Sequence, residues 1–384
     1  MVEIMENVME SILEKSFDKK LSEEYIIESF TLTDAEASRL ADIIKTAFLN
    51  MDSTAKHGGT IMFDEDTFKF MFCSPYFKKD LFIRAIHKAT GDTVGFMGSI
   101  PRILKINDKI FNCFIPSWEA VHWKHQRKGI AKNMVTKMIA TGIPMGVDAA
   151  YAMFEPEEHG INSAKASAES LNLTQYMIEA YKINKFIIRV LDIKRTSSVI
   201  KFKFYEKIFL GLLQGVKKVN NPRVRNFKPA DGERLFELMK DFVEKNEISV
   251  IHEHDDFIWY INHSVINCVV HTDENDIPDG FIIAWKFNLS GFGNSTPFGW
   301  LDIVHTHRLS IKEAADLSKH MSWRTKEIGW AGLQTPYIPY FNPKPLKKAK
   351  FIFFPKKLIL TFFPSPLSSI VIPKKIKSLY SDWR

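Results

Sequence analysis

The stretch Ile115 to Ala140 constrains this chain more than any other. It runs Ile115-Pro-Ser-Trp-Glu-Ala-Val-His122, then Trp-Lys-His, then Gln126-Arg-Lys-Gly-Ile-Ala131, then Lys-Asn-Met-Val-Thr-Lys-Met-Ile-Ala140. Its first part is strand-like. In its last part Ile130, Val135, Met138 and Ile139 fall close to one helical face. Between them lies a basic turn with one glycine, Gly129. A strand that passes through such a turn into a helix leaves backbone N–H groups free at the helix start, and the positive end of the helix dipole lies beside them. Arg127, Lys128 and Lys132 add full charges. The turn reads as an anion site, suited to a phosphate-bearing ligand and above all to a pyrophosphate.

At 384 residues the chain exceeds one average domain, so two are expected. A net charge of +7 suits an anionic ligand, an acidic surface or nucleic acid, and is silent about fold. Cys73, Cys113 and Cys268 are far apart, which excludes a disulfide framework and paired metal-ligand spacing and points to a reducing compartment. The acidic N-terminus lacks a signal-peptide pattern, and no apolar run could span a bilayer. A soluble, cytoplasmic protein is expected.

Periodicity gives the order of elements. Residues 1–24 read as a helical lead-in arm, with Ile4, Val8, Ile12 and Leu13 at helical spacing. Tyr25 to Phe30 reads as a strand, Ala35 to Asn50 and Asp64 to Tyr76 as helices. A three-strand meander follows over Asp80 to Ala89, Thr93 to Ile103 and Ile110 to His122, punctuated at Thr90-Gly91-Asp92 and Asn107-Asp108. After the signature turn and its helix come a buried strand (Gly146 to Phe154), an acidic loop (Glu155 to Gly160), a helix (Ser163 to Ser170) and a strand (Asn184 to Ile193). A basic and apolar connection, 196–222, leads to a restart: strand, two helices, three strands, the helix Ser310 to Ile328, the strand Ala331 to Ile338. Phe351 to Phe354 and Leu358 to Phe363 read as a closing hairpin around Pro355-Lys356-Lys357. By periodicity this is a mixed α/β sheet protein with two copies of one architecture.

Gln126-x-x-Gly129-x-Ala131, placed after an apolar strand and before an amphipathic helix, resembles the acyl-CoA signature Q/R-x-x-G-x-G/A of the GNAT (GCN5-related) N-acyltransferases. The order of elements is that of the GNAT fold. The second half lacks the signature; His305-Thr306-His307-Arg308-Leu309 stands in its place. The resemblance implies two tandem GNAT-like domains: the first over 25–195, binding acyl-CoA, and a degenerate second over 223–364, followed by a basic tail over 365–384. A tandem arrangement of that kind is similar to the eukaryotic N-myristoyltransferases. Val94-Gly-Phe-Met-Gly-Ser-Ile-Pro101 resembles that family's V-G-F-I-S-A-I-P strand, Val121 to Ala131 its V-H-x-x-L-R-S-K-R-L/V-A-P, and Ser170-Leu171-Asn172 its R-S-L-N. Three features depart from the family: Gly129 replaces a basic residue, Ala149-Ala150-Tyr151-Ala152 replaces a tyrosine- and glycine-containing strand, and the chain ends Leu379-Tyr-Ser-Asp-Trp-Arg384 instead of in an apolar terminus.

The resemblance implies transfer of an acyl group, acetyl or longer, from a CoA thioester to a primary amine on a small molecule, a peptide N-terminus or a lysine. Ala120, Val121, His122, Gln126, Arg127, Lys128, Gly129, Ile130, Ala131 and Lys132 are the expected acyl-CoA contacts, and strand N–H groups over 118–121 the expected polarising donors. Glu119, inside an apolar strand, is the candidate base, since burial raises a carboxyl pKa toward a useful range. A solvated glutamate is the bland alternative. Tyr176 and Tyr181 are candidate acids on or near the following helix, although core tyrosine is the commoner role. Asp148, Glu155, Glu157 and Glu158 could receive a cationic acceptor. No metal is expected, because His252 with His254 and His305 with His307 are two-ligand sets without a third. The lysines interleaved with Phe351, Phe353 and Phe354 are compatible with peripheral membrane contact, and solvated edges explain them equally; no nucleic-acid partner is expected. Two rival readings remain: an aminoacyl-tRNA-dependent transferase of the Fem type, and a non-catalytic CoA-binding sensor.

Overall fold

The computed structural model describes residues 19–77, 81–156 and 159–384. The greater part of the expected lead-in arm, the start of the first meander strand at Asp80, and Glu157 and Glu158 lie outside them. The chain divides into two compact units. One holds residues up to 48, 77–183 and 357–376; the other holds 49–76, 184–356 and 377–384.

In the first unit four antiparallel strands run Tyr25–Phe30, Phe82–His87, Asp92–Ile106 and Lys109–Val121, paired in that order. Alternation places Ile83, Ala85, Val94, Met97, Phe114 and Val121 in one core, against Ile130, Met134, Val135 and Met138 of the helix Ile130–Gly142. The helical face read from the sequence is thus the face that packs. Gly95 permits the approach: a Cβ there would meet Met134 Sδ at 3.0 Å and Ala85 Cβ at 3.1 Å. Burying a side chain of this size is worth roughly 1.5–3 kcal/mol.

The outer edge of the strand Lys109–Val121 meets Ala149–Phe154 in parallel, and only at Cys113 with Ala149 and Phe114 with Ala150. Past Phe114 the ladder stops. Ala149–Phe154 instead pairs along its whole length with Ile359–Pro364, antiparallel. Two neighbouring strands that part after two residues leave a cleft between their ends.

The second unit repeats the plan. Val224–Asn226, Ile266–Thr272, Pro278–Gly291 and Asn294–His305 pair antiparallel in that order. The last meets Gly332–Pro336 in parallel at Gly299 with Leu333 and Trp300 with Gln334. A short 3-10 turn leads into the helix after the first strand in both units: Asp34–Glu36 before Ala37–Leu49, and Pro229–Asp231 before Gly232–Lys245. The helix Ile311–Glu327 stands where the first unit has Ile130–Gly142.

Four features of the fold bear on the expected layout. The units are not contiguous in sequence: residues 49–76, read with the first domain, cluster with the second, where Thr60–Met62 extends the sheet by pairing with Asn288, Leu289 and Ser290. The connection 196–222 also belongs to the second unit. The closing hairpin is one strand, Ile352–Pro364, because Pro355-Lys356-Lys357 continues extended instead of turning. The basic tail keeps Lys374, Lys375 and Lys377 exposed, while its last residues are anchored. Leu379 and Tyr380 pair in parallel with Ile248 and Ser249, and Ser381, Asp382 and Arg384 are buried.

Candidate functional site

The strand Lys109–Val121 carries a β-bulge just before the signature turn. Phe96 faces Ala120 and Gly98 faces Ser117, so Met97 alone opposes Trp118 and Glu119. Trp118 takes the extra residue in a left-handed conformation, φ +57°, and its ring packs on Phe48 at 5.7 Å. A bulge interrupts the ladder and turns side chains and amides away from their regular partners. Here it lies on the stretch where the two parallel strands have parted.

Glu119 is the residue the bulge aims inward. Its Oε1 is shut from solvent and has no hydrogen-bond partner. Burial pushes its carboxyl up to about 7, opposed by a hydrogen bond from Ser163. Ser163 stands on the helix His159–Ser170, whose Ser167 hydroxyl donates to the carbonyl of Lys132 at 3.0 Å. That bond ties the helix supporting Glu119 to the first turn of the signature helix.

The turn forms as the sequence requires. Gly129 is the N-cap of Ile130–Gly142 at φ +84°, with no side chain capping it, and Arg127 is also left-handed at +63°. The first helical bond is Asn133 N to Gly129 O, 3.1 Å. The amides of Ile130, Ala131 and Lys132 therefore precede the helix's own ladder and point out of its end. Asn133 Nδ2 also donates to Gly129 O, at 2.9 Å, which holds the carbonyl and leaves the amide side open.

Several expected ligand residues turn out to shape the turn. Gln126 Nε2 donates to Val121 O at 3.0 Å, closing the loop onto the strand end. His122 caps the 3-10 turn Trp123–His125, its Nδ1 accepting from Lys124 N. Lys128 Nζ bonds Glu24 at 3.0 Å and lies over the Tyr25 ring at 5.4 Å. Ala120, Val121 and Ile130 are buried. Arg127 and Ala131 frame the open amides together with the backbone of Lys132.

The other acids and tyrosines separate. Asp148 is structural: Asn112 N donates to its Oδ2 at 2.8 Å and Ser368 Oγ to its Oδ1 at 2.9 Å. Tyr176 closes a 3-10 turn, Thr174–Tyr176, shortly after the helix His159–Ser170, and Tyr181 lies on the strand Ile178–Val190. Both are half-buried. The histidine pairs are engaged singly: His252 with Tyr380, His254 with Glu233 and Asp255, His305 with Asp241. Sequence reading missed Ser163 and Asn133. Asn133, four residues beyond Gly129, is a spacing that could have been read; Ser163 comes from a separate helix and carries no sequence mark.

A cleft between parting strands, a bulge at its rim and an uncapped helix start are one arrangement, carried by a fold that solved structures share. A crystal structure of Saccharomyces cerevisiae N-myristoyltransferase with bound myristoyl-CoA matches with a TM-score of 0.71 at 14% identity, covering 93% of this chain and 89% of that one. A second structure of that protein with myristoyl-CoA gives 0.70 at 15% identity over 93% and 85%. This chain has the N-myristoyltransferase fold, a tandem GNAT architecture. A third structure, holding myristoyl-CoA and inhibitors, gives 0.68 at 15%. No protein-family profile and no curated protein matches the sequence. At such identities the N-myristoyltransferase likeness speaks for fold alone.

The open amides after Gly129 suit a pyrophosphate, and an orphaned buried carboxyl oxygen at the cleft rim is a group waiting for a hydrogen-bond donor. No helix among the described residues is long and apolar enough to cross a membrane.

Proposed function

We propose that this protein is an acyl-CoA-dependent N-acyltransferase whose acceptor is a primary amine. The observation that carries the reading is Glu119: a carboxyl with a buried, unpartnered oxygen, raised to about 7, beside the uncapped turn. Asp148, Asp241 and Asp302 accept hydrogen bonds on their carboxylates, whereas Glu119 keeps one oxygen without a donor.

The amides of Ile130, Ala131 and Lys132 hold the diphosphate, with Arg127 adjacent. Acyl-CoA supplies an activated acyl carbon when bound. Backbone N–H groups at the bulge, over 118–121, polarise its carbonyl oxygen. Glu119 takes the proton of the incoming ammonium, directly or through one water, and a base near 7 is matched to that work at neutral pH. Ser163 fixes the carboxyl's orientation. Tyr176 and Tyr181 remain candidates for protonating the departing thiolate.

The test is a thermal-shift series with CoA, acetyl-CoA and myristoyl-CoA. Stabilisation by at least one, by about 2.7 kcal/mol at a hundredfold excess over Kd, is the expected result. Which thioester shifts melting most reports the acyl length. No shift with any of the three overturns the reading.

A further inference from the structure

The helix Phe204–Leu213 turns its apolar side outward. Phe204 is 80% exposed, Tyr205 62%, Ile208 51%, Phe209 51% and Leu212 76%. At roughly 100° per residue these five side chains fall within an arc of about 140°. Leu210, the one buried residue of the helix, points the opposite way. This is an amphipathic helix mounted in reverse.

The mounting is firm. Arg189 is buried, and its guanidinium donates to Leu213 O at 2.7 Å and Gly215 O at 3.1 Å, taking up carbonyls of the last turn. Ile193 N donates to Gln214 Oε1 at 3.2 Å. At the other end Glu206 accepts from Lys203 N at 2.8 Å. An apolar arc capped at its start and pinned to Arg189 and Ile193 at its end is a presented surface and not a frayed segment.

Charge says what it presents to. Between residues 201 and 218 stand Lys201, Lys203, Lys207, Lys217 and Lys218, all exposed, against one acid, Glu206, which is occupied at the helix start. Apolar and aromatic side chains in the middle with lysines around them match a bilayer whose headgroups are anionic. A helix of 10 residues cannot cross a bilayer, so it would lie in the interface plane. We propose that this helix docks the protein on an anionic phospholipid surface, Phe204, Ile208 and Leu212 entering the acyl boundary and the lysines meeting phosphates.

The experiment uses the full chain and vesicles of phosphatidylcholine, with and without phosphatidylserine. Cosedimentation should show at least tenfold tighter binding to the phosphatidylserine vesicles, weakening with salt. Phe204→Ser, Ile208→Ser and Leu212→Ser together should lower that binding about a hundredfold or more. Lys203→Ala with Lys207→Ala should lower it roughly tenfold. A Phe209→Trp variant should shift its emission to the blue on the same vesicles and be quenched by brominated lipid, which reads the contact without disrupting the arc. No vesicle binding by the natural chain, undiminished binding by the triple serine variant, or an unmoved Trp emission overturns the proposal. So does concentration-dependent dimerisation that the serine variant abolishes in the absence of vesicle binding, which would make a second copy the occupant.

Discussion

The two units are built on one plan and differ at one end of one strand. In each, the third meander strand carries a bulge with an acid in it, then turns into a helix. In the first, Glu119 has an orphan oxygen and the helix begins at an uncapped glycine. In the second, Asp302 sits in the corresponding bulge, between the pairs Ile283 with Ile303 and Ala284 with Leu301. Its carboxylate accepts from Tyr260 OH at 2.7 Å and Trp383 N at 2.5 Å. The helix after it starts at Ser310, which accepts from Glu313 N, while Glu313 accepts from Ser310 N at 2.9 Å. Arg308, the cation of that turn, is clamped by Asp241 through two bonds of 2.8 and 2.9 Å. Every group that stands open in the first unit is answered by the second unit's own side chains. A fold can therefore keep its shape while closing the site.

The closed end should be the stiffer one, and removing its answers should cost most. Asp241→Asn strips Arg308 and buried His305 of their partner and should destabilise by about 3–5 kcal/mol, read by urea denaturation. Arg308 and His305 hold the Asp241 carboxyl well below the usual carboxylate range. That stability is present above the ordinary carboxylate pKa and is lost as pH falls toward the folded value, so the variant's deficit should shrink in acid.

The two bulge acids sharpen the comparison because burial raises both carboxyls and they differ in their hydrogen-bond partners. Asp302→Asn gives up hydrogen bonds from Tyr260 and Trp383, so the gain from neutralising that buried carboxyl at pH 8 should be offset. Glu119→Gln should instead stabilise the chain at pH 8. Its folded carboxyl lies at about 7, above the unfolded value, so stability is highest in acid and falls as pH rises to about 7. The gain at pH 8 should be on the order of 3 kcal/mol and nearly absent at pH 4, where both states are mostly protonated. The same variant should slow acyl transfer about a hundredfold or more, and erase a limb of the rate profile that rises with pH through about 7. A Glu119→Gln chain no more stable at pH 8 than at pH 4 would break the contrast. The smallest effect belongs to the cap: Ser310→Ala should lower stability by about 1 kcal/mol, in a melt followed by circular dichroism.

Much of this was legible in residues alone. The meander, the signature helix and the repeat follow from alternation and helical spacing, which local burial enforces. The turn followed from one glycine between a strand and a helix. What escaped was non-local. Pro355-Lys356-Lys357 carries turn residues, yet the strand runs through it: Lys356 covers the Phe186 ring at 5.6 Å, and Leu360 and Phe362 further along are buried. Charge at Arg384 gives no sign of burial in the sequence; Asp256, distant in sequence, is what lets it be buried. The exposed arc over 204–212 was hidden by the opposite fault. Its periodicity is that of a core helix, and sequence cannot say which side of a helix faces in.

Calorimetric titration of CoA onto the natural chain and onto Gly129→Asp tests the central claim most directly. The aspartate must adopt a left-handed conformation and places a carboxylate before the open amides, while a Cβ there meets nothing nearer than 3.8 Å, so the fold survives. One CoA per chain on the natural protein, and affinity lower by at least thirtyfold in the variant, is the predicted result. Equal affinity in both chains, or no heat in either, would contradict the account.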